Sequence, residues 1–222
     1  MEPPRSESEL LARAFELDGL SIMDLAHRLG FDISGSPLQT KGRIGELLEI
    51  ALGASSGNLD QPDFPQLGIE LKTIPIDRTG RVCESTFVCA LDLSKVEYEE
   101  WSTSRVRRKL AHVLWIPIES ARVASIDRRH IGTPYIWRMD PAEESLLQSD
   151  WNELVGKIAI GAIDDISAHL GHALQIRPKA ANASVQVEIH GPERELLSTV
   201  PLGFYLRASF TQQLLWRLSP KA

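Results

Sequence analysis

The chain has 222 residues, of which 43% are apolar, and a formal net charge of −6. That is enough apolar material for a sizeable core in one domain, or in one domain of two lobes. No apolar run reaches the roughly 18 residues that would suggest a membrane span. The negative balance excludes a uniformly basic nucleic-acid binder, yet it is uneven. Residues 101–138 hold eight Lys or Arg against two Asp or Glu. A polyanion would meet positive surface only in certain segments, which disfavours tight non-specific DNA binding and leaves specific or transient binding open. The opening MEPPRSESEL is polar and acidic and lacks the apolar core of a secretory signal, so a cytoplasmic protein is expected. Cys83 and Cys89 have no nearby His or further Cys to complete a zinc site and read as reduced, partly buried thiols.

In chain order, SESELLARAFEL predicts a first helix capped by Ser6 or Ser8, and SIMDLAHRLG a second, from Ser21 as cap to Gly30 as terminator. FDISGSPLQT reads as a loop. KGRIGELLEIALG predicts a third helix, with Ile44, Leu47, Leu48, Ala51 and Leu52 on one face. A Pro- and Gly-rich connection, ASSGNLDQPDFPQ, leads to the strand candidates GIELKTIPI, STFVCALDL, HVLWIPI and PYIWR, with DRTGR as a turn between the first two. A helix is expected from Pro141 to about residue 170, breaking near Gly161. ALQIRP, SVQVEIH and GFYLRAS are further short strands, and FTQQLLWRL is a closing helix. Helices, then strands, then a helix, then strands again describe a mixed α/β chain without regular βαβ alternation.

The strand GIELKTIPI carries charge where apolar residues would be expected. Side chains alternate along a strand, so Glu70 and Lys72 share one face and Ile69, Leu71 and Thr73 the other. Asp63, in the preceding loop, is close enough in sequence to fold back on the strand's start. Two converging carboxylates form a hard oxygen site suited to Mg²⁺, which can polarise a phosphodiester and acidify a bound water. An ammonium beside them can orient that water and offset transition-state charge. Glu49 lies roughly 60° beyond Leu52 on the shoulder of the apolar stripe and could look into the boundary between helix and sheet, whereas Glu46 points away. Asp-x6-Glu-x-Lys is a short pattern, and a Glu-x-Lys pair is also what a solvated cross-strand face looks like.

The stretches KGRIGELLEIALGASSG, DFPQLGIELKTIPID, ESTFVC, TSRVRRKLAHVLWIPIE, IRPKAANA and GFYLRASF, taken together and in this order, resemble the MutH family of DNA mismatch-repair endonucleases. The resemblance implies a restriction-endonuclease-like fold: a central mixed β-sheet flanked by helices, in a single endonuclease domain spanning residues 1–222 whose two lobes surround a DNA-binding cleft. It implies nicking of the unmethylated strand at hemimethylated GATC with Mg²⁺ as cofactor; Mn²⁺ is expected to substitute, and Ca²⁺ to bind without supporting cleavage. The implied partners are duplex DNA and MutL, with MutS upstream, and the chain is expected to act as a monomer with no membrane partner. The family's metal-binding acids fall on Asp63 and Glu70, its catalytic lysine on Lys72 and a further active-site glutamate on Glu49. Lys41 falls on a lysine that contacts DNA, Lys109 on one near the active site, and Phe87 on an aromatic that meets DNA. Arg177, Pro178 and Lys179 fall on a loop that reads bases in the major groove, and Tyr205 on a residue that senses adenine methylation. Arg and Lys supply donors for the acceptor edge of guanine, and the intervening Pro narrows their geometry.

Two departures from the family pattern stand out. Arg43 occupies an expected aromatic position, and Arg207-Ala208 replaces a basic pair. Residues 121–150 are the least similar and receive no role. Two other functions remain open at this point: a GATC-specific restriction endonuclease, and a non-catalytic module that reads DNA methylation. A blander option is an interaction domain whose strand charges are merely solvated.

Overall fold

The computed structural model describes residues 1–33, 37–56, 60–93, 95, 98–119, 129–162, 165–166, 170–179, 187–190 and 196–218, with side chains left aside for 37–41, 187–190 and 196–199. In chain order the elements are α1 (Glu7–Phe15), α2 (Ile22–Leu29), α3 (Pro37–Leu52), β1 (Glu70–Ile76), β2 (Thr86–Ala90), α4 (Arg105–Leu110), β3 (His112–Glu119), β4 (Tyr135–Arg138), α5 (Pro141–Ala159), β5 (Leu174–Pro178), β6 (Val187–His190), β7 (Leu196–Thr199), β8 (Leu202–Leu206) and α6 (Ala208–Leu218). They fall into two compact units. The first comprises Met1–Glu84, Ala111–Arg138 and Gln212–Ala222; the second comprises Ser85–Leu110 and Met139–Thr211. Among the described residues, no helix is long and apolar enough to cross a membrane.

The first unit is built on a mixed sheet in the order β1-β3-β4, with β1 parallel to β3 and β3 antiparallel to β4. Parallel neighbours need a long crossover, and here the intervening chain runs through β2 and α4 of the second unit. The predicted face of α3 is buried: Ile44, Leu47, Leu48, Ala51 and Leu52 join Leu10 and Ala14 of α1, Ile22 and Leu25 of α2, and Ile69 and Leu71 at the sheet in one core. The caps follow the sequence. Ser6 Oγ accepts from the Glu9 N–H at 3.1 Å, Ser21 Oγ from the Asp24 N–H at 3.0 Å, and Gly30 ends α2 in the left-handed region with φ 62°.

The expectation of a loop through FDISGSPLQT needs correction, because α3 starts at Pro37, upstream of Lys41. Proline is favoured at a first helical position, where its missing N–H costs nothing and its φ is already helical.

The second unit holds an antiparallel sheet in the order β2-β8-β5 and the hairpin β6-β7. Its long helix α5 starts in a capping box, in which Asp140 and Glu143 each accept from the other's N–H. It ends at Ala159, next to the break expected at Gly161 and short of the expected end near residue 170. Trp151 on α5 meets Trp101 with ring centroids 6.0 Å apart. Buried Asp150 on α5 accepts from the N–H groups of His172 at 2.9 Å, Ala173 at 2.6 Å and Leu174 at 2.8 Å, which fixes where β5 begins.

Candidate active site

The first unit brings Asp63, Glu70 and Lys72 together by a local device. Phe64 and Ile69 exchange backbone hydrogen bonds, Phe64 N–H to Ile69 O at 2.9 Å and Ile69 N–H to Phe64 O at 3.3 Å. Gly68 supplies the left-handed turn between them, with φ 64°. This small hairpin folds the chain back on itself, so Asp63 Oδ2 accepts the Leu71 N–H at 2.8 Å. The carboxylate is therefore delivered to the strand midway between Glu70 and Lys72. On the strand, Lys72 Nζ donates to Glu70 Oε1 at 3.0 Å, so the two side chains share a face. All three are buried, at 8% exposure for Asp63, 4% for Glu70 and 7% for Lys72. A solvated cross-strand face would be open to water, so that option is removed. The parallel register sets Glu70 beside Val113 and Lys72 beside Trp115, both fully buried.

Glu49 lies in the last turns of α3, half-buried on the shoulder of the apolar face, while Glu46 is exposed. The main chain ties its end of the helix to the Asp63 loop. Ala54 N–H donates to Glu49 O at 2.8 Å, and Ser55 N–H to Asp63 O at 3.1 Å. Ser56 Oγ lies 3.5 Å from Asp63 Oδ1. Among the described residues, no three His, Cys, Asp or Glu side chains form a ready metal cluster. Asp63 and Glu70 nonetheless offer the hard-oxygen chemistry that suits Mg²⁺, an ion that usually keeps several waters and needs only one or two protein carboxylates. Lys41 lies in the N-terminal half of α3, and its side chain falls outside the described residues.

The second unit gathers Phe87, Arg177, Pro178 and Tyr205 on one sheet, with Lys179 just past its edge strand β5. Phe87 on β2 and Gln175 on β5 both pair with Tyr205 on β8, and Arg177 pairs with Gly203. Phe87 and Tyr205 pack edge to face with centroids 5.3 Å apart. The Arg177 guanidinium lies 5.9 Å from the Tyr205 ring centre, and Lys179 Nζ lies 5.4 Å from that of Phe87. Arg177, Pro178 and Lys179 are exposed. Burial holds the Tyr205 phenol above its ordinary pKa, with the Arg177 charge opposing, so it stays a neutral hydroxyl at working pH. Gly203 is required here: a Cβ would lie 2.9 Å from Phe87 Cε2 and 3.1 Å from Cys89 O.

Lys109 is in α4 of the same unit, and it is buried. Of its neighbours, Arg107 Nε donates to Glu144 Oε1 at 2.6 Å, and Arg108 Nη1 to Thr103 O at 2.5 Å. The basic run is thus partly engaged within the protein. Cys83 is exposed, Cys89 is buried, and they form no disulfide. Sequence reasoning missed Asp150 and Gly203, whose importance comes from partners distant in the chain.

A mixed sheet whose β1 strand presents a buried acid and lysine, with a second acid folded onto the same strand, is the arrangement that the restriction-endonuclease-like class of nucleases calls for, and nucleases of that fold typically depend on a metal ion. Family comparison narrows the class. Residues 52–150 match the model of the DNA mismatch repair enzyme MutH. The chain is 47% identical over 216 residues to the DNA mismatch repair protein MutH of Vibrio parahaemolyticus serotype O3:K6, covering 97% of this chain and 96% of that one. It is 46% identical over 217 residues to the MutH of Escherichia coli O6:K15:H31, covering 98% and 95%. The chain belongs to the MutH family and is a DNA mismatch-repair endonuclease that acts on phosphodiester bonds.

Proposed function

We propose that this endonuclease nicks the unmethylated strand at hemimethylated GATC in a Mg²⁺-dependent reaction stimulated by MutL, downstream of MutS, in the cytoplasm. The observation that carries the reading is the Lys72–Glu70 contact of 3.0 Å on a strand whose intervening Leu71 N–H is held by Asp63. Asp63 and Glu70 would hold the ion, with Glu49 completing the acidic set. When bound, the ion supplies Lewis-acid polarisation of the scissile phosphate and a more acidic water. Lys72 holds the attacking water by hydrogen bond and places positive charge beside the phosphoryl oxygens as charge builds on them. Burial of these groups keeps bulk water out, which strengthens each electrostatic contact. One such centre in one chain makes a single nick per event the expected outcome for a monomer.

Recognition falls to the second unit. Arg177 and Lys179 present donors that suit the acceptor edge of guanine. Lys41, Lys109 and Phe87 contribute to holding the duplex. Tyr205, neutral and packed on Phe87, is suited to distinguish an adenine amino group from its N6-methyl form, which has one donor fewer and added bulk. The test is nicking of hemimethylated GATC plasmid with Mg²⁺ and MutL, comparing wild type with Lys72→Ala and Asp63→Ala. Equal rates in the variants would remove the proposed centre. Efficient double-strand cleavage without MutL would identify a restriction enzyme instead, and binding without cleavage under any activation a methylation reader.

A further inference from the structure

Arg177 is fixed by its own sheet. Its Nη1 donates to Ser85 Oγ at 2.7 Å, and its guanidinium lies 5.9 Å from the Tyr205 ring centre. Ser85 stands just before β2 and Arg177 near the end of β5, with β8 between the two strands. The guanidinium therefore reaches across the middle strand on the Tyr205 side, while the Arg177 backbone is in register with Gly203. Gly203 leaves room there for the Phe87 ring, which a Cβ would approach to 2.9 Å. An exposed arginine ordinarily samples many rotamers and loses that freedom on binding. Holding it in its binding geometry beforehand reduces the loss and sharpens orientation. The bond to Ser85 engages one of the five N–H donors that a guanidinium carries.

We propose that Ser85 is a positioning residue for sequence recognition. Its hydroxyl fixes the Arg177 fork against Tyr205 so that paired donors face the acceptor edge of a guanine in the major groove. This inference rests on the reading of Arg177 as a base-contacting residue. Ser85 acts through Arg177 and itself touches neither base nor phosphate.

The experiment is equilibrium binding of the full chain, in Ca²⁺, to a GATC duplex and to the same duplex carrying AATC. Wild type is compared with Ser85→Ala, Ser85→Thr, Arg177→Ala and the Ser85→Ala/Arg177→Ala double variant, with melting temperatures alongside. Ser85→Ala is expected to lower the GATC-to-AATC affinity ratio roughly 5- to 10-fold, the net size of one ordinary solvent-accessible hydrogen bond. Ser85→Thr restores the ratio, the double variant is no worse than Arg177→Ala, and the melting temperature does not move. If Arg177→Ala lowers the ratio and Ser85→Ala does not, the positioning role is overturned while the base-reading assignment stands. If Arg177→Ala leaves the ratio unchanged, that assignment falls and the inference falls with it. An equal loss on both duplexes, or a loss that follows a lowered melting temperature and is not rescued by threonine, also overturns it.

Discussion

Replacing Lys72 with Met tests the centre of the mechanism, because the substitution keeps an unbranched apolar stem only one atom shorter and removes the ammonium, with its charge and its hydrogen bond to Glu70. Lys72 Nζ is 3.0 Å from Glu70 Oε1, and the two side chains are 7% and 6% exposed. At that separation, with an effective dielectric of about 20, the attraction is on the order of 5 kcal/mol, most of it offset by the cost of desolvating both groups. Removing one partner of a buried pair costs about 3–5 kcal/mol, because the other charge stays buried. Urea denaturation in EDTA should therefore show Lys72→Met less stable by roughly 3 kcal/mol. Glu70→Gln/Lys72→Met should recover much of that loss, since no ionised member of the pair is left. Nicking should fall about 10²- to 10³-fold in Lys72→Met, the usual loss on deleting an electrostatic stabiliser of the transition state, while GATC binding in Ca²⁺ persists. Two results would refute the reasoning: losses in stability that simply add in the double variant, or nicking by Lys72→Met within about threefold of wild type.

Asp150→Asn should destabilise the chain by about 1–3 kcal/mol in urea titrations, because a neutral amide replaces a buried carboxylate whose Oδ2 accepts from three consecutive N–H groups at the start of β5, and its NH2 would face the His172 N–H that Oδ1 also accepts. DNA affinity should fall with it, since the same strand carries Arg177. Gly203→Ala should force the Phe87 ring off Tyr205, costing about 1–3 kcal/mol and weakening DNA binding, as read by denaturation and fluorescence anisotropy. His112 is buried with Nε2 3.0 Å from Glu7 Oε2 and Nδ1 3.4 Å from Arg138 Nη1. Burial, joined by the Arg138 charge and opposed by Glu7, holds its pKa below the ordinary 6.5. The unfolded chain thus binds this proton more readily, so the stability tied to His112 is intact above pH 6.5 and is lost as pH falls through the lowered native value. His112→Gln should flatten that part of a stability–pH profile, and an unchanged slope would count against it.

The candidate catalytic strand was legible because its logic is local. Strand alternation alone puts Glu70 and Lys72 on one face, helical phase alone puts Glu49 on the shoulder of α3 and Glu46 in water, and a short Pro- and Gly-containing segment suffices to bring Asp63 back. The sheet that carries Phe87, Arg177 and Tyr205 was legible only through family resemblance. Arg177 and Ser85 are 92 residues apart, and no periodicity connects them. β7 was missed because the stretch LLST has no alternating pattern, and α3 was started late because its first turn follows a Ser- and Gly-containing stretch. Burial was the harder quantity throughout. A Glu-x-Lys strand reads the same whether its face meets solvent or protein, and what decides the matter is the partner strand. β3 sets Val113 and Trp115 beside Glu70 and Lys72, and β4 adds Trp137 opposite Val113, 6.1 Å between the Trp115 and Trp137 ring centres. That apolar wall makes the charged face costly to keep without compensation. The observed answer is an ion pair and a backbone-bonded carboxylate: groups already dehydrated and oriented, which is the state in which electrostatic catalysis needs no further reorganisation when the substrate arrives.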